Sequence, residues 1–74
     1  MAVRFHYYIG TDLDRCKRAG HWRFDDEDDI PNLPKNADVN NPDIITGSEA
    51  YQVSGAGKGN LYMFSEKLNA WELQ

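Results

Sequence analysis

Five consecutive acids, Asp25-Asp26-Glu27-Asp28-Asp29, run into prolines at positions 31, 34 and 42, and no other stretch restricts the fold as strongly. Proline fixes φ, has no N–H to donate and turns the residue before it away from helix, while neighbouring carboxylates repel one another. An interior strand and a long helix are both poor readings here, so regular structure has to come from the flanks. Those flanks are short. A chain of 74 residues is one small domain at most, with no room for a dinucleotide-binding sheet or a barrel. Nine aromatics (three Phe, four Tyr, two Trp) still suffice for a compact core. Cys16 is the single cysteine, so no internal disulfide can staple the fold. Chains of this size often take their remaining stability from a partner.

The amino-terminal flank alternates. Val3, Phe5, Tyr7 and Ile9 fall on one face and Arg4, His6 and Tyr8 on the other, the period of a half-buried strand. Gly10-Thr11-Asp12 interrupts it, and Thr11 or Asp12 is placed to cap a short helical turn through Leu13–Arg18 before Gly20. His21-Trp22-Arg23-Phe24 alternates again and reads as a second short strand. In the other flank, Ala50–Ser54, Leu61–Ser65 and Ala70–Leu73 are apolar or aromatic runs separated by Gly55–Asn60 and Glu66–Asn69. Turn-rich gaps of that length join antiparallel neighbours, which predicts a three-stranded meander. Trp71, Tyr62, Phe64, Tyr51, Val53 and Leu73 are its expected core, supported by Phe5, Tyr7 and Trp22.

The expected fold is therefore mainly β, with a small α+β fold as the variant. It has amino-terminal strands and a basic turn in residues 1–24, an extended Pro/Asn/Asp-rich arm in 25–44 and a carboxy-terminal meander in 45–74, all in one domain. Charge follows the same division. Residues 1–24 carry five cations and two acids, residues 25–49 carry eight acids and Lys35, and residues 50–74 are balanced, for a net −4. Phosphate binding needs cations that release counterions, so this balance disfavours nucleic acid. No apolar run approaches the length of a signal core or membrane span, and no Asn-x-Ser/Thr acceptor occurs, so synthesis in a reducing cytoplasm is the expectation.

Motifs that carry chemistry are few. Gly55-Ala56-Gly57-Lys58-Gly59-Asn60 lacks the Ser or Thr that a P-loop places after its lysine, and reads as a flexible hairpin loop. The acidic run puts Ile30 where a calcium loop requires glycine. His6, Cys16 and His21, even with Asp14, lack the paired spacing of a zinc site, so neither metal nor cofactor is expected. Cys16 and His21 lack a third group that would orient them for nucleophilic catalysis, and no catalytic residue is assigned. Basic and aromatic residues interleave from Arg4 to Arg23, the mixture used to stack on single strands, but the odd-numbered aromatics are assigned to a core face.

The segments Ile45-Thr46-Gly47-Ser48-Glu49-Ala50-Tyr51-Gln52-Val53, Asn60-Leu61-Tyr62-Met63-Phe64 and Asn69-Ala70-Trp71-Glu72-Leu73 resemble a carboxy-terminal module of small tailed-phage and prophage virion proteins. In that pattern a Gly-Ser-x-Ala strand is followed by a strand reading Tyr-x-Phe or Tyr-x-Asp and then by a strand carrying Trp, often at the end of the chain. Ile30-Pro31-Asn32-Leu33-Pro34 fits the same company. The resemblance implies an assembly role in a virion and no catalytic residues. On that reading the chain binds itself or other virion proteins, and the arm is the partner-binding strip: Asp25, Asp26, Glu27, Asp28 and Asp29 steer it to a basic surface, while Ile30, Leu33 and Val39 anchor it. The rival expectation is a cytoplasmic inhibitor or accessory protein that turns the same acids toward a host protein.

Overall fold

The computed structural model describes residues 3–15, 17–35 and 44–74. Alternation at the amino terminus becomes β1 (Val3–Asp12), which pairs antiparallel with β2 (Lys17–Phe24). The expected helical turn between them does not form. Thr11 and Asp12 stay in the ladder opposite Arg18 and Lys17, and Asp12 accepts the Arg15 N–H at 3.2 Å and its Nε–H at 2.6 Å, closing a hairpin turn instead of capping a helix. Leu13 is 82% exposed, so it does not anchor a helical alternative. Cys16 lies outside the described residues.

The carboxy-terminal meander is present as expected: β3 (Glu49–Gln52), β4 (Leu61–Ser65) and β5 (Ala70–Leu73) pair antiparallel in sequence order. The two halves join through β2 and β3, which run parallel with His21 opposite Glu49 and Phe24 opposite Gln52. The result is one five-stranded mixed sheet in the order β1-β2-β3-β4-β5. Parallel neighbours cannot be joined by a tight turn and need a crossover of a dozen or more residues. The acidic, proline-rich segment is that crossover.

Over its described residues 25–35 the segment is not the free extended arm that its composition predicts. Glu27–Asn32 forms a 3-10 helix with Asp26 as its N-cap, which accepts the Asp28 N–H at 3.0 Å while Asp29 reaches back to the Asp26 N–H at 3.5 Å. Acids in the first turn complement the free N–H groups there, so the run satisfies a helix terminus instead of repelling itself into extension. The Leu33 N–H donates to the Ile30 carbonyl at 3.1 Å, and Leu33, which precedes Pro34, leaves the helix extended at φ −62 and ψ 141. Val39, the third expected anchor, lies outside the described residues.

Packing explains why the helix folds back. Leu33 is 2% exposed and joins Phe24 and Ala50, both fully buried, with Val3, Trp22, Ile30, Tyr62 and Trp71 around them. The Trp71 indole N–H donates to the Pro34 carbonyl at 2.8 Å, fixing the crossover to β5. Trp71, Tyr62, Phe64 and Trp22 thus take the expected core side. Phe5 and Leu73 share that side but stay 43% and 57% exposed at its margin, and Tyr7 lies on the opposite face, 47% exposed. Tyr51 lies on the same side as Glu49, opposite Ala50 and Gln52, and is half-buried, as is Val53 beyond the end of β3.

Both ends of the sheet are tied. At one, the Arg15 guanidinium grips Glu66 with a fork at 2.7 and 3.0 Å, and Thr46 exchanges hydrogen bonds with Glu66 at 2.8 and 3.0 Å. At the other, Gln52 Nε2 donates to Glu27 at 2.9 Å beneath the β3–β4 loop. There Gly55 has φ +79, and a Cβ would stand 2.6 Å from Glu27 Oε2.

This packing can be tested at two places. Leu33→Ala should lower the unfolding free energy in urea by about 2–4 kcal/mol, because it empties a buried site, whereas Leu73→Ala should stay within about 0.5 kcal/mol. The Arg15 fork, then the Thr46 backbone bond, lowers the Glu66 pKa from 4.5 to about 2. The stabilisation is complete above pH 4.5 and is lost as pH falls toward 2. Thermal melts of wild type and Glu66→Gln should therefore differ most above that window and converge through it.

Candidate functional site

The strand that the core leaves open is β1. Phe5, Tyr7, Tyr8 and Ile9 are 42–56% exposed on it, and Leu13 comes next in its turn. Soluble surfaces carry scattered apolar side chains, but a run of large ones on one strand marks an interaction surface. Residues from both faces of the strand contribute, because β1 carries two bulges. Its ladder slips between Phe5 and Tyr7 and again between Tyr8 and Gly10, leaving His6 and Ile9 as extra residues. Each slip reverses the parity of the residues beyond it, so Tyr8 returns to the side of Phe5 although the two are three positions apart.

On that side the rings of Phe5 and Tyr8 lie 4.6 Å apart, Phe5 meets Trp22 edge-on at 5.1 Å, and the Arg18 guanidinium sits 4.8 Å above Tyr8. Gly20 makes the cluster possible. A Cβ there would come within 3.0 Å of Trp22 Nε1 and 3.1 Å of Phe5, so a larger residue would lift both rings off the strand. Offset and edge-on rings with a cation over a face are favourable contacts that leave the outer ring surfaces available.

The opposite side holds a second cluster. Tyr7 stacks on His21 at 4.8 Å and 9°, and His6 lies 5.7 Å from His21. His21 Nδ1 is 2.6 Å from Glu49 Oε1; a carboxylate accepts, so Nδ1 carries the proton. His21 is 6% exposed, and its Nε2 has no hydrogen-bond partner among the described residues. Two parts of a catalytic constellation are present, an imidazole and the carboxylate that orients it. No hydroxyl or thiol among the described residues bonds to Nε2 to complete one. Among those residues no three His, Cys, Asp or Glu side chains converge on a metal site.

The acidic strip is placed very differently from the expectation. Asp25 pairs with Arg4 at 3.0 Å, which holds its carboxyl below the ordinary range. Asp26 and Asp29 are spent in the helix cap, and Asp29 is 1% exposed. Glu27 and Asp28 remain on the surface; hydrogen bonds from the backbone and then from Gln52 lower the Glu27 pKa. Ile30 packs on the core and Leu33 lies within it, so neither projects as an anchor. Strict alternation hides the open strip on β1, because it assigns Phe5 and Tyr7 to the core. The adjacent pair Tyr7-Tyr8, which breaks the alternation of apolar and polar residues, is the signal in the sequence that points to it.

Compared with protein-family models, with curated proteins and with solved structures, the chain matches none.

Tyr7 covers His21, and that cover can be read chemically. Diethyl pyrocarbonate should modify the exposed His6 and spare His21 in wild type, whereas Tyr7→Ala should make His21 reactive, as peptide mass mapping would report. Equal modification of His21 in both proteins would mean that Tyr7 shields nothing.

Proposed function

We propose that the chain is a non-catalytic assembly protein of a phage virion, a minor capsid, decoration, head–tail or tail component that binds neighbouring subunits. The observation that carries this reading is the run of open apolar side chains on β1, which a chain of this size retains at a cost in solubility unless a neighbour covers it. The carboxy-terminal segments that resemble the virion module coincide with β3, β4 and β5. Binding is assigned to the sheet edge and its aromatics. The acidic segment has a smaller part, because Asp25, Asp26 and Asp29 already serve the fold. For the same reason an inhibitor that works through those acids draws less support. The protein is made in the host cytoplasm on this reading and ends in the particle.

Mass spectrometry of purified particles from a host that carries the sequence should find the chain in stoichiometric amount. Its absence there would end the virion reading. Replacing Phe5 and Tyr8 together with Ser should keep a cooperative melt, since both side chains are largely outside the core, yet lower the copy number per particle by roughly tenfold or more, the scale of one lost anchor in an interface.

A further inference from the structure

We propose that β1 pairs with β1 of a second copy of this chain, antiparallel about a two-fold axis at Tyr8; the inference rests on the assembly reading and names the partner. β1 is one end of the sheet and has ten residues, against four in β5 at the other end. The backbone groups along an end strand are a template for a further strand.

The register comes from which residues share a face. Opposite β2, Val3, Phe5, Tyr8 and Thr11 pair with Phe24, Trp22, Gly20 and Arg18, and so share one face; Arg4, Tyr7, Gly10 and Asp12 share the other. A two-fold axis perpendicular to the sheet keeps each face on its own side, so only residues of the same face can stand opposite one another. Centred on Tyr8, the pairing sets Phe5 opposite Thr11, Tyr7 opposite Gly10 and Arg4 opposite Asp12. Each of the extra residues His6 and Ile9 then falls between two paired positions of the facing strand. Centring on Tyr7 instead sets Arg4 opposite Gly10 and leaves Asp12 beyond the paired stretch.

Charge selects the first register and the antiparallel sense. Arg4 and His6 lie toward one end of the strand and Asp12 and Asp14 toward the other, so antiparallel copies bring unlike charges together and parallel copies bring like ones. Arg4 and Asp12 have partners within their own chain, Asp25 and Arg15, yet keep side-chain exposures of 50% and 30% and can take a second. Phe5, Tyr7, Tyr8, Ile9 and Leu13 offer on the order of 500 Å² of open surface per copy, below the roughly 800 Å² that one side of a standard interface buries, which suits a weak pair. Single-stranded nucleic acid is the competing occupant of these rings. It is disfavoured because Arg4 and Arg15 are matched by carboxylates and the whole chain is net −4.

Sedimentation equilibrium of wild type from about 1 µM to about 1 mM should show the mass rising from one chain to two. Tyr8→Arg, which sets two cations on the axis, should hold the monomer mass with the fold retained by circular dichroism. In a Cys16→Ser background, Tyr8→Cys should oxidise to a linked dimer, whereas Leu68→Cys, 60% exposed in the β4–β5 turn, should not. A wild type that stays monomeric overturns the proposal, as does equal cross-linking at the two cysteines. So does a monomer whose β1 amide resonances shift with oligothymidine, which would give the strip to nucleic acid. A monomer that still enters particles removes the pair and leaves the virion reading standing. A Tyr8-linked pair that is missing from particles supports the pair and removes that reading.

Discussion

The parallel pairing of β2 with β3 is the contact on which the rest of the molecule depends. It is the ladder that joins the amino-terminal hairpin to the carboxy-terminal meander. Neither half is well covered alone. The hairpin is two strands, too few to be stable in water, and three strands need a cover on one face. Because the joined strands are parallel, the intervening chain must cross the sheet, and it supplies that cover. Leu33 reaches Phe24 and Ala50 as a consequence. The same crossing carries Pro34 to Trp71, so one connection contacts both halves of the sheet it made possible.

The acids are consistent with that role once their partners are considered. A run of five carboxylates is costly if left as a block, but the acids after β2 meet different groups. Asp25 faces a guanidinium, Asp26 and Asp29 face backbone N–H groups, and Glu27 faces an amide. Asp28 keeps its side chain on the surface. The run keeps its charge but is not left as a bare block, since a guanidinium, an amide and the N–H groups of a helix terminus each face part of it.

Much of the sheet is legible in the sequence because its signals are local. The meander follows from three apolar runs with turn residues between them, and β1 from a period of two. The features that escape have non-local causes. Nothing within Lys17–Phe24 indicates a parallel partner 28 residues on, as with His21 and Glu49. Without that partner, Leu33 and Ile30 look like anchors awaiting another molecule; with it, they are the cover of the core. The open surface is hidden for a related reason. A bulge is a property of the pairing and not of either strand, so the parity of Tyr7 and Tyr8 cannot be read from β1 by itself.

The order of synthesis gives the β2–β3 junction a further meaning. A hairpin closes in about 1–10 µs, whereas ribosomes add about 5–20 residues per second. β1 and β2 are complete in the nascent chain long before Gln52 ends β3. For roughly one to six seconds the hairpin is made without its parallel neighbour or its cover, with Phe24 bare of Leu33 and Ala50. Polysomes carrying many such chains would hold these unfinished hairpins close together, so a side chain that later becomes core is, for that interval, open surface.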